Sequence, residues 1–121
     1  MASVVLQTNR LDIVPFEKKH ITDNYLGWLN DKFLMRYSEQ RHKVHENESC
    51  ESYLVSFLDS PNYFWALEAR ENAGEFIGTM TVYIDEHNNI ADVGVMIGDS
   101  KTRGTGVGLE AWTAVTSWLL N

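Results

Sequence analysis

The stretch that most constrains this chain is residues 90–120, which reads IADVGVMIGDSKTRGTGVGLEAWTAVTSWLL. It begins with an apolar run typical of a strand, passes Lys101 and Arg103, crosses three alternating glycines and ends in an amphipathic pattern of helical period. A strand, a glycine turn and a helix in this order place unpaired backbone N–H groups and the positive end of a helix dipole at the turn. The sequence therefore predicts a turn that binds phosphate.

Two common phosphate-binding motifs do not fit these glycines. A Walker-type loop needs Lys and then Ser or Thr after its last glycine, whereas Gly108 is followed by Leu109 and Glu110. A dinucleotide fingerprint needs the spacing G-x-G-x-x-G, and here the third glycine comes one position early. An ordinary strand-to-helix turn, with glycines for tight packing, is the structural alternative.

What remains is the order R-x-x-G-x-G, from Arg103 to Gly108. It resembles the acetyl-CoA signature of the GNAT superfamily of N-acetyltransferases, which has Gln or Arg, two variable residues, Gly, one variable residue, and Gly or Ala. Residues 9–16 (NRLDIVPF), 25–37 (YLGWLNDKFLMRY) and 91–97 (ADVGVMI) resemble the opening strand, first helices and fourth strand of the branch that holds ribosomal-protein and amino-sugar acetyltransferases. The resemblance covers almost the whole chain.

The resemblance implies a single GNAT-like domain over residues 1–121 with an α+β fold. The expected architecture is a mixed but mainly antiparallel sheet of about four strands, with helices on both faces. The implied reaction is direct transfer of an acetyl group from acetyl-CoA, as cosubstrate, to a primary amine on an amino sugar, another small amine or a protein N-terminus. The implied cofactor-binding residues lie on the fourth strand and in the glycine turn, and are Val95, Met96, Ile97, Arg103, Gly104, Thr105, Gly106, Val107 and Gly108.

A base must accept a proton from the ammonium group before the amine can attack a thioester carbonyl. Asp92 is the first candidate, because it falls on the same strand face as Gly94 and Met96. Glu39 is the second candidate. Bonding of Asp92 to neighbouring backbone or basic groups is the structural alternative. The resemblance also makes three residues candidates for contact with the acceptor: Arg36, Tyr37 and Glu39.

Charge and composition limit the partners. The formal net charge of −7 argues against nucleic acid or an anionic membrane as a partner, and favours a cationic amine as substrate. Acetyl-CoA is itself an anion, so Lys101 and Arg103 must offset Asp99 and Glu110 at the turn. The single cysteine, Cys50, excludes an internal disulfide and falls on an apolar helix face, which favours a core thiol over a nucleophile.

A cytoplasmic location is expected, because no run approaches the ~18 apolar residues of a membrane span and no leader pattern opens the chain. No metal is expected either. His42 and His45 are spaced like ligands on a helix, but no third ligand accompanies them.

Taken in order, the chain predicts a strand over residues 4–15 and a helix capped by Thr22 that ends at Asn30 and Asp31. A short helix over residues 32–37 follows, and then a third helix. The inner side of that third helix is predicted to be Cys50, Tyr53, Leu54, Phe57 and Leu58.

Three strands, over residues 64–69, 76–84 and 90–98, should form a meander covered on both faces, with a possible bulge at Gly78. The final helix is predicted to pack through Leu109, Trp112, Val115, Thr116 and Leu119.

Members of the GNAT family continue with a fifth strand, a further helix and a closing hairpin, and a Tyr that protonates the leaving thiolate. This sequence stops before those elements, which makes it C-terminally truncated relative to the family. A homodimer or swapped oligomer through the exposed fourth strand is therefore expected. A catalytically inactive CoA-binding remnant and an oligomeric interaction module without cofactor are the alternatives.

Overall fold

The structure is a computed structural model that describes residues 3–36 and 44–120. Within these residues, five strands and three α-helices follow one another: β1 (Leu6–Gln7), β2 (Leu11–Pro15), α1 (Asp23–Asn30), α2 (Asn47–Leu58), β3 (Tyr63–Ala69), β4 (Glu75–Asp85), β5 (Ile90–Ile97) and α3 (Val107–Leu119). The strands form one sheet in the order β1-β2-β3-β4-β5, and each neighbouring pair is antiparallel.

The predicted α+β class is confirmed, but the sheet has five strands rather than about four. The single strand predicted over residues 4–15 is a hairpin. The Thr8 N–H donates to the Leu11 carbonyl at 2.9 Å, and the Leu11 N–H donates to the Thr8 hydroxyl at 3.0 Å. A Thr side chain that bonds the backbone three residues on favours a turn over a continuous strand. Because of that turn, Leu6 pairs with Ile13.

Helices cover both faces of the sheet, as predicted. The first face packs against α3 around a core of Leu11, Ile13, Trp65, Leu67, Ala69, Ile77, Met80, Val82, Val107, Ala111 and Val115. The second face packs against α1 and α2 around Phe16, Tyr25, Cys50, Leu54, Phe57, Phe64 and Ala66. The helix that begins at the glycine turn therefore covers one face of the sheet, and the helix pair α1 and α2 covers the other.

The first helix forms as predicted and the second does not. Thr22 caps α1 by accepting a hydrogen bond from the Tyr25 N–H at 3.2 Å, and the helix ends at Asn30. Beyond it, residues 32–36 form turns rather than a helix, and residue 37 lies outside the described ranges. The Asp31 carboxylate accepts hydrogen bonds from the N–H groups of Phe33 at 2.9 Å and Leu34 at 3.0 Å. These bonds cap a single helical turn, closed by the Met35 N–H donating to the Asp31 carbonyl at 3.0 Å, and the described residues do not continue it as a helix.

The predicted inner faces of α2 and α3 are only partly correct. In α2, Cys50, Leu54 and Phe57 are buried as expected, whereas Leu58 is 53% exposed. In α3, Leu109 is 69% exposed and Trp112 is 45% exposed, and the buried residues are Val107, Ala111 and Val115. Trp118 also packs against this core, so the inner stripe follows the helical spacing of Val107, Ala111 and Val115 rather than residue size.

The bulge lies beside the predicted glycine. The register passes from Leu67 opposite Gly78 to Glu68 opposite Phe76, which leaves Ile77 as the extra residue. The Ile77 carbonyl accepts hydrogen bonds from the N–H groups of both Gly98, at 3.0 Å, and Asp99, at 3.1 Å. The bulge therefore fixes the point where β5 ends and the glycine turn begins.

The prediction that both faces of the meander are covered is wrong for β5. Asp92, on one face of β5, is exposed, and Val95, on the other face, is 40% exposed. The strand also pairs only with β4, so its other edge is open among the residues described.

Candidate active site

The glycine turn folds through hydrogen bonds of its own. The Asp99 carbonyl accepts from the N–H groups of Thr102 at 3.3 Å and Arg103 at 3.2 Å, and the Thr105 N–H donates to the Thr102 carbonyl at 3.2 Å. The Asp99 carboxylate also accepts from the Thr102 hydroxyl at 3.1 Å. Two of the N–H groups expected to face phosphate, those of Arg103 and Thr105, are therefore already used inside the turn.

Other N–H groups in the same segment have no acceptor. In residues 3–36 and 44–120, no protein group accepts from the N–H of Gly104, Gly106, Val107, Gly108 or Leu109. Gly104 and Gly106 have φ angles of 81° and 90°, and a Cβ placed on Gly104 would have no neighbour within 4 Å. Both glycines therefore occupy a left-handed conformation that other residues rarely adopt. Open amides at a helix start are suited to an anion.

Arg10 holds this turn from the side. Its Nε donates to the Glu110 carboxylate at 2.7 Å, its Nη1 donates to the Thr105 carbonyl at 3.1 Å, and its Nη2 lies 3.6 Å from where a Gly106 Cβ would be. Its backbone N–H and the Thr8 hydroxyl also donate to Glu110. The β1–β2 hairpin and the first turn of α3 are thereby joined through one carboxylate.

This network determines the ionisation of Glu110 at the start of α3. Burial by itself would raise the pKa of Glu110, but hydrogen bonds from Thr8 and Arg10, together with the charge of Arg10, outweigh burial and lower it. Glu110 is therefore ionised and neutralised by Arg10, while Lys101 and Arg103 stay exposed beside the turn. Sequence reasoning missed Arg10, because nothing in the order of residues shows that positions 100 residues apart meet.

Successive residues of β5 direct their backbone N–H and C=O groups alternately toward β4 and toward the open edge of the sheet. The Gly98 N–H donates to the Ile77 carbonyl, and in an antiparallel ladder every second residue bonds the neighbouring strand. Met96 is therefore the next residue of β5 whose backbone bonds β4. The same geometry brings the Met96 carbonyl within 2.2 Å of where a Cβ on Gly78 would lie, which explains the glycine. The N–H and C=O groups of Val95 and Ile97 therefore point to the open edge, and those of Met96 do not.

A cavity of about 840 Å³ lies between the α1–α2 side of the molecule and strands β3 to β5. Its lining consists of Tyr25, Leu29, Leu34, Met35, His45, Ser49, Cys50, Ser52, Tyr53, Ser56, Phe64, Thr79, Thr81, Tyr83, Gly94, Val95, Met96 and Ile97. The cavity therefore borders the same strand whose open edge leads to the glycine turn.

Burial keeps the phenols and the thiol of this cavity protonated. It raises the pKa of Tyr25 and of Tyr53 far above that of an exposed phenol, and the hydrogen bond between the Tyr53 and Tyr83 hydroxyls raises that of Tyr53 further. Burial also raises the pKa of the Cys50 thiol. Cys50 is thus a neutral thiol, which agrees with a packing role.

The predicted acceptor and base residues are not brought together by the described part of the chain. Asp92 pairs with Tyr83 in the sheet and is exposed, beside the cavity but not in its lining. Arg36 is exposed, and its guanidinium stacks 4.0 Å above the Phe33 ring and donates to the Phe33 carbonyl at 2.7 Å. Tyr37 and Glu39 lie outside the described residues.

His45 was considered in the sequence only as a metal ligand, and the structure places it in the cavity lining. Asn30 holds its backbone, accepting from the His45 N–H at 2.7 Å and donating to its carbonyl at 3.0 Å. The described residues contain no group of three or more His, Cys, Asp and Glu side chains arranged for a metal. None of the helices in this part of the chain is long and apolar enough to cross a membrane.

Together, these features define an α+β domain in which open amides at the start of α3 follow the strand that borders the cavity. The sequence profile described as "Acetyltransferase (GNAT) domain" matches residues 10–121. The chain therefore belongs to the GNAT acetyltransferase family, and the resemblance noted from the glycine turn is confirmed at that level.

Individual relatives agree with this assignment. The chain is 27% identical over 124 residues to an "N-acetyltransferase 9-like protein" of Caenorhabditis briggsae, and the match spans 96% of this chain but 62% of the relative. A domain from Methanocaldococcus jannaschii shares the fold with a TM-score of 0.75 at 18% identity, over 93% of this chain and 71% of that one. A Bordetella pertussis protein assigned to the GNAT family gives a TM-score of 0.67 at 17% identity, over 94% and 70%.

Proposed function

We propose that this chain is the core of an acetyl-CoA-dependent N-acetyltransferase that transfers an acetyl group directly to a primary amine. The observation that carries the proposal is the set of unpaired amides between Gly104 and Leu109, which lie at the end of an open edge strand in a member of the GNAT family. In the reaction, the amine nitrogen bonds to the acetyl carbon, the C–S bond breaks, the ammonium proton passes to a base and the CoA thiolate takes up a proton.

The residues present fit the donor. The open N–H groups of Gly104, Gly106, Val107 and Gly108 would hold the pyrophosphate, and the exposed side chains of Lys101 and Arg103 would add positive charge. In this scheme the N–H groups of Arg103 and Thr105 shape the turn rather than contact phosphate. The ion pair of Arg10 and Glu110 keeps a bare carboxylate away from the anion.

The pantetheine arm fits the open edge of β5. Val95 and Ile97 present unused backbone donors and acceptors there, so an extended amide chain can add to the sheet as a further strand. Met96 would contribute through its side chain, which lines the cavity. The acetyl end of the arm would then face the cavity and the acceptor amine.

Asp92 is proposed as the base, acting directly or through a water molecule. It is exposed on the strand that borders the cavity, two residues from Gly94. Glu39 stays the second candidate, and Arg36, Tyr37 and Glu39 stay proposed contacts of the acceptor. Pairing of two copies is likewise proposed, through the part of the open β5 edge before Val95 that the arm leaves free. Sedimentation at micromolar concentration tests it, because a monomer there contradicts it.

Calorimetry with acetyl-CoA tests the proposal most directly. We expect one site per chain, competition by free CoA, and release of thiol when an amine is added. Desulfo-CoA serves as the control ligand, because it keeps the pyrophosphate and loses only the reacting sulfur. If acetyl-CoA gives no heat and no thermal stabilisation, the proposal is wrong.

A further inference from the structure

The wall of the cavity carries no fixed negative charge in the part of the chain that the structure describes. Its lining contains no Asp, Glu, Lys or Arg. Glu48 and Glu51 belong to α2 but are exposed and do not line it, and Asp92 lies beside the lining rather than in it. The acidity of the chain, with 17 carboxylates against 10 Lys and Arg, is therefore not concentrated in the cavity.

Ionisation does not change this at neutral pH. Burial raises the pKa of the hydroxyls of Tyr25 and Tyr53 and of the Cys50 thiol, so all three stay uncharged. The His45 side chain cannot carry a negative charge. The described part of the wall therefore offers no carboxylate to pair with the additional cations of a polyamine or an aminoglycoside.

The remaining surface is apolar with a few hydroxyls. Leu29, Leu34 and Met35 form one side, and the Phe64 ring and Met96 belong to the sheet side. A cavity of about 840 Å³ lies within the usual range for small-ligand sites. An apolar group gains by leaving water for such a surface, whereas a charged group loses hydration there without a partner.

We propose, as a deepening of the function proposed above and resting on it, that the acceptor is a monoamine whose neighbouring group is uncharged and apolar or aromatic. That group fills the cavity, and the amine lies at the β5 side where the acetyl carbon arrives. The N-terminus of a peptide that begins with Leu, Met or Phe has this chemistry, and so does a free arylalkylamine. Amino sugars, polyamines and peptides with a charged first residue do not.

A panel of matched acceptors tests the class. It contains heptapeptides of one shared sequence that begin with Leu, Met, Phe, Lys or Asp, together with phenethylamine, glucosamine and spermidine. The readout is kcat/KM from thiol release with acetyl-CoA. We expect apolar first residues to exceed Lys and Asp by about tenfold or more. The peptide and phenethylamine arms distinguish a polypeptide acceptor from a small amine.

Each result of the acceptor panel either supports or overturns the proposed acceptor class. A preference for apolar acceptors supports the proposal, and equal or higher values for spermidine, glucosamine or the Lys peptide overturn it. Acetyl-CoA binding by calorimetry without turnover of any apolar acceptor overturns the acceptor class but leaves the donor site standing. Absence of both binding and turnover removes the proposed function itself, and this inference with it.

Two variants test whether the uncharged cavity wall causes the preference for apolar acceptors. Ser52→Glu adds a carboxylate to the cavity lining, whereas Val55→Glu adds the same charge to an exposed position of the same helix outside the lining. Glu is a good helix former, so both should fold. We expect Ser52→Glu to raise the ratio of kcat/KM for the Lys peptide over the Leu peptide about tenfold, close to the effect of one partly shielded charge pair. No change in that ratio, or an equal change in Val55→Glu, contradicts a specificity set by the uncharged wall.

Discussion

The glycine turn follows the end of β5 that lines the cavity, yet the two regions are built in different ways. The turn consists of consecutive residues, from Asp99 to Leu109, and presents mainly backbone groups. The cavity collects side chains from both helices of one face, from three strands and from the loop segments around them. A site of backbone groups depends on the positions where glycine provides the required backbone conformation, whereas a site of side chains depends on how distant segments pack together. Variants in the two regions should therefore fail in different ways.

The largest effect is expected from Gly106→Glu, which puts bulk and negative charge among the open amides. Acetyl-CoA affinity should fall by about a hundredfold or more, equivalent to two charge-assisted hydrogen bonds. Gly74→Glu is the matched control, because Gly74 also has a positive φ, of 78°, and no neighbour within 4 Å of a Cβ. Both variants carry the same backbone strain, so titration calorimetry separates strain from site. Similar affinity in the two variants would show that the turn is not the donor site.

Next in size is Asp92→Asn, which removes the proposed base without altering the turn. Loss of a general base costs about 10²–10⁴-fold in turnover. The acidic limb of the pH profile for kcat should disappear with it, while donor affinity stays unchanged. Asp59→Asn, at the exposed end of α2, is the control. An unaltered rate in Asp92→Asn would exclude this residue and leave Glu39 as the candidate.

A third variant probes the place where the two regions touch. Gly98 lies just after β5, and a Cβ there would come within 2.0 Å of the Trp28 ring of α1. Gly98→Ala should lower stability by about 1–3 kcal/mol, because it overpacks this contact. Gly27→Ala is the control: Gly27 lies in the same helix with no neighbour within 4 Å of a Cβ, and Ala there should be neutral or stabilising. Equal melting temperatures for the two variants would contradict the packing described.

The contrast between the regions also explains what the sequence could and could not predict. The helix starts, the last strand and the glycine turn follow from local signals such as the Thr22 cap and the order of residues 103–108. The Thr8 turn was missed because the alternation at Leu11 and Ile13 extends naturally backwards as one strand. The inner face of α3 was misjudged because its apolar residues lie on more than one side of the helix: Leu109 and Trp112 are exposed, whereas Ala111 and Val115 are buried.

The cavity could not be predicted at all. His45, Tyr53 and Tyr83 come together only through the packing of α2 on the sheet, and no spacing in the sequence records that packing. The same holds for Arg10 and Glu110, which meet across the hairpin and the last helix. Tertiary contacts between distant segments are thus the part of the site that a motif does not contain.

The smallest effect is expected from removing the ion pair of Arg10 and Glu110. Arg10→Ala leaves Glu110 without its ion-pair partner in the first turn of α3, beside the proposed anion site. Acetyl-CoA affinity should fall about tenfold, because one charge near the pyrophosphate reverses the local field. Arg70→Ala is the control, since Arg70 pairs with Asp12 of β2 at a distance of 3.8 Å and is away from the turn. Partial recovery in Arg10→Lys would identify charge as the main cause, and none would identify the guanidinium geometry, in which Nε bonds Glu110 and Nη1 bonds the Thr105 carbonyl.

The ion pair of Arg10 and Glu110 also makes the free energy of unfolding depend on pH. The pKa of Glu110 is lower in the folded chain than in the unfolded one, because hydrogen bonds from Thr8 and Arg10 and the charge of Arg10 outweigh the opposing effect of burial. The unfolded state therefore binds the proton first, and the stabilisation by Glu110 is present above its unfolded pKa and is lost as pH falls through the folded value. Thermal unfolding from neutral pH down to pH values below the ordinary carboxyl range should show a steeper loss for the wild type than for Arg10→Ala. Parallel curves for the two proteins would mean that the ion pair does not hold the turn.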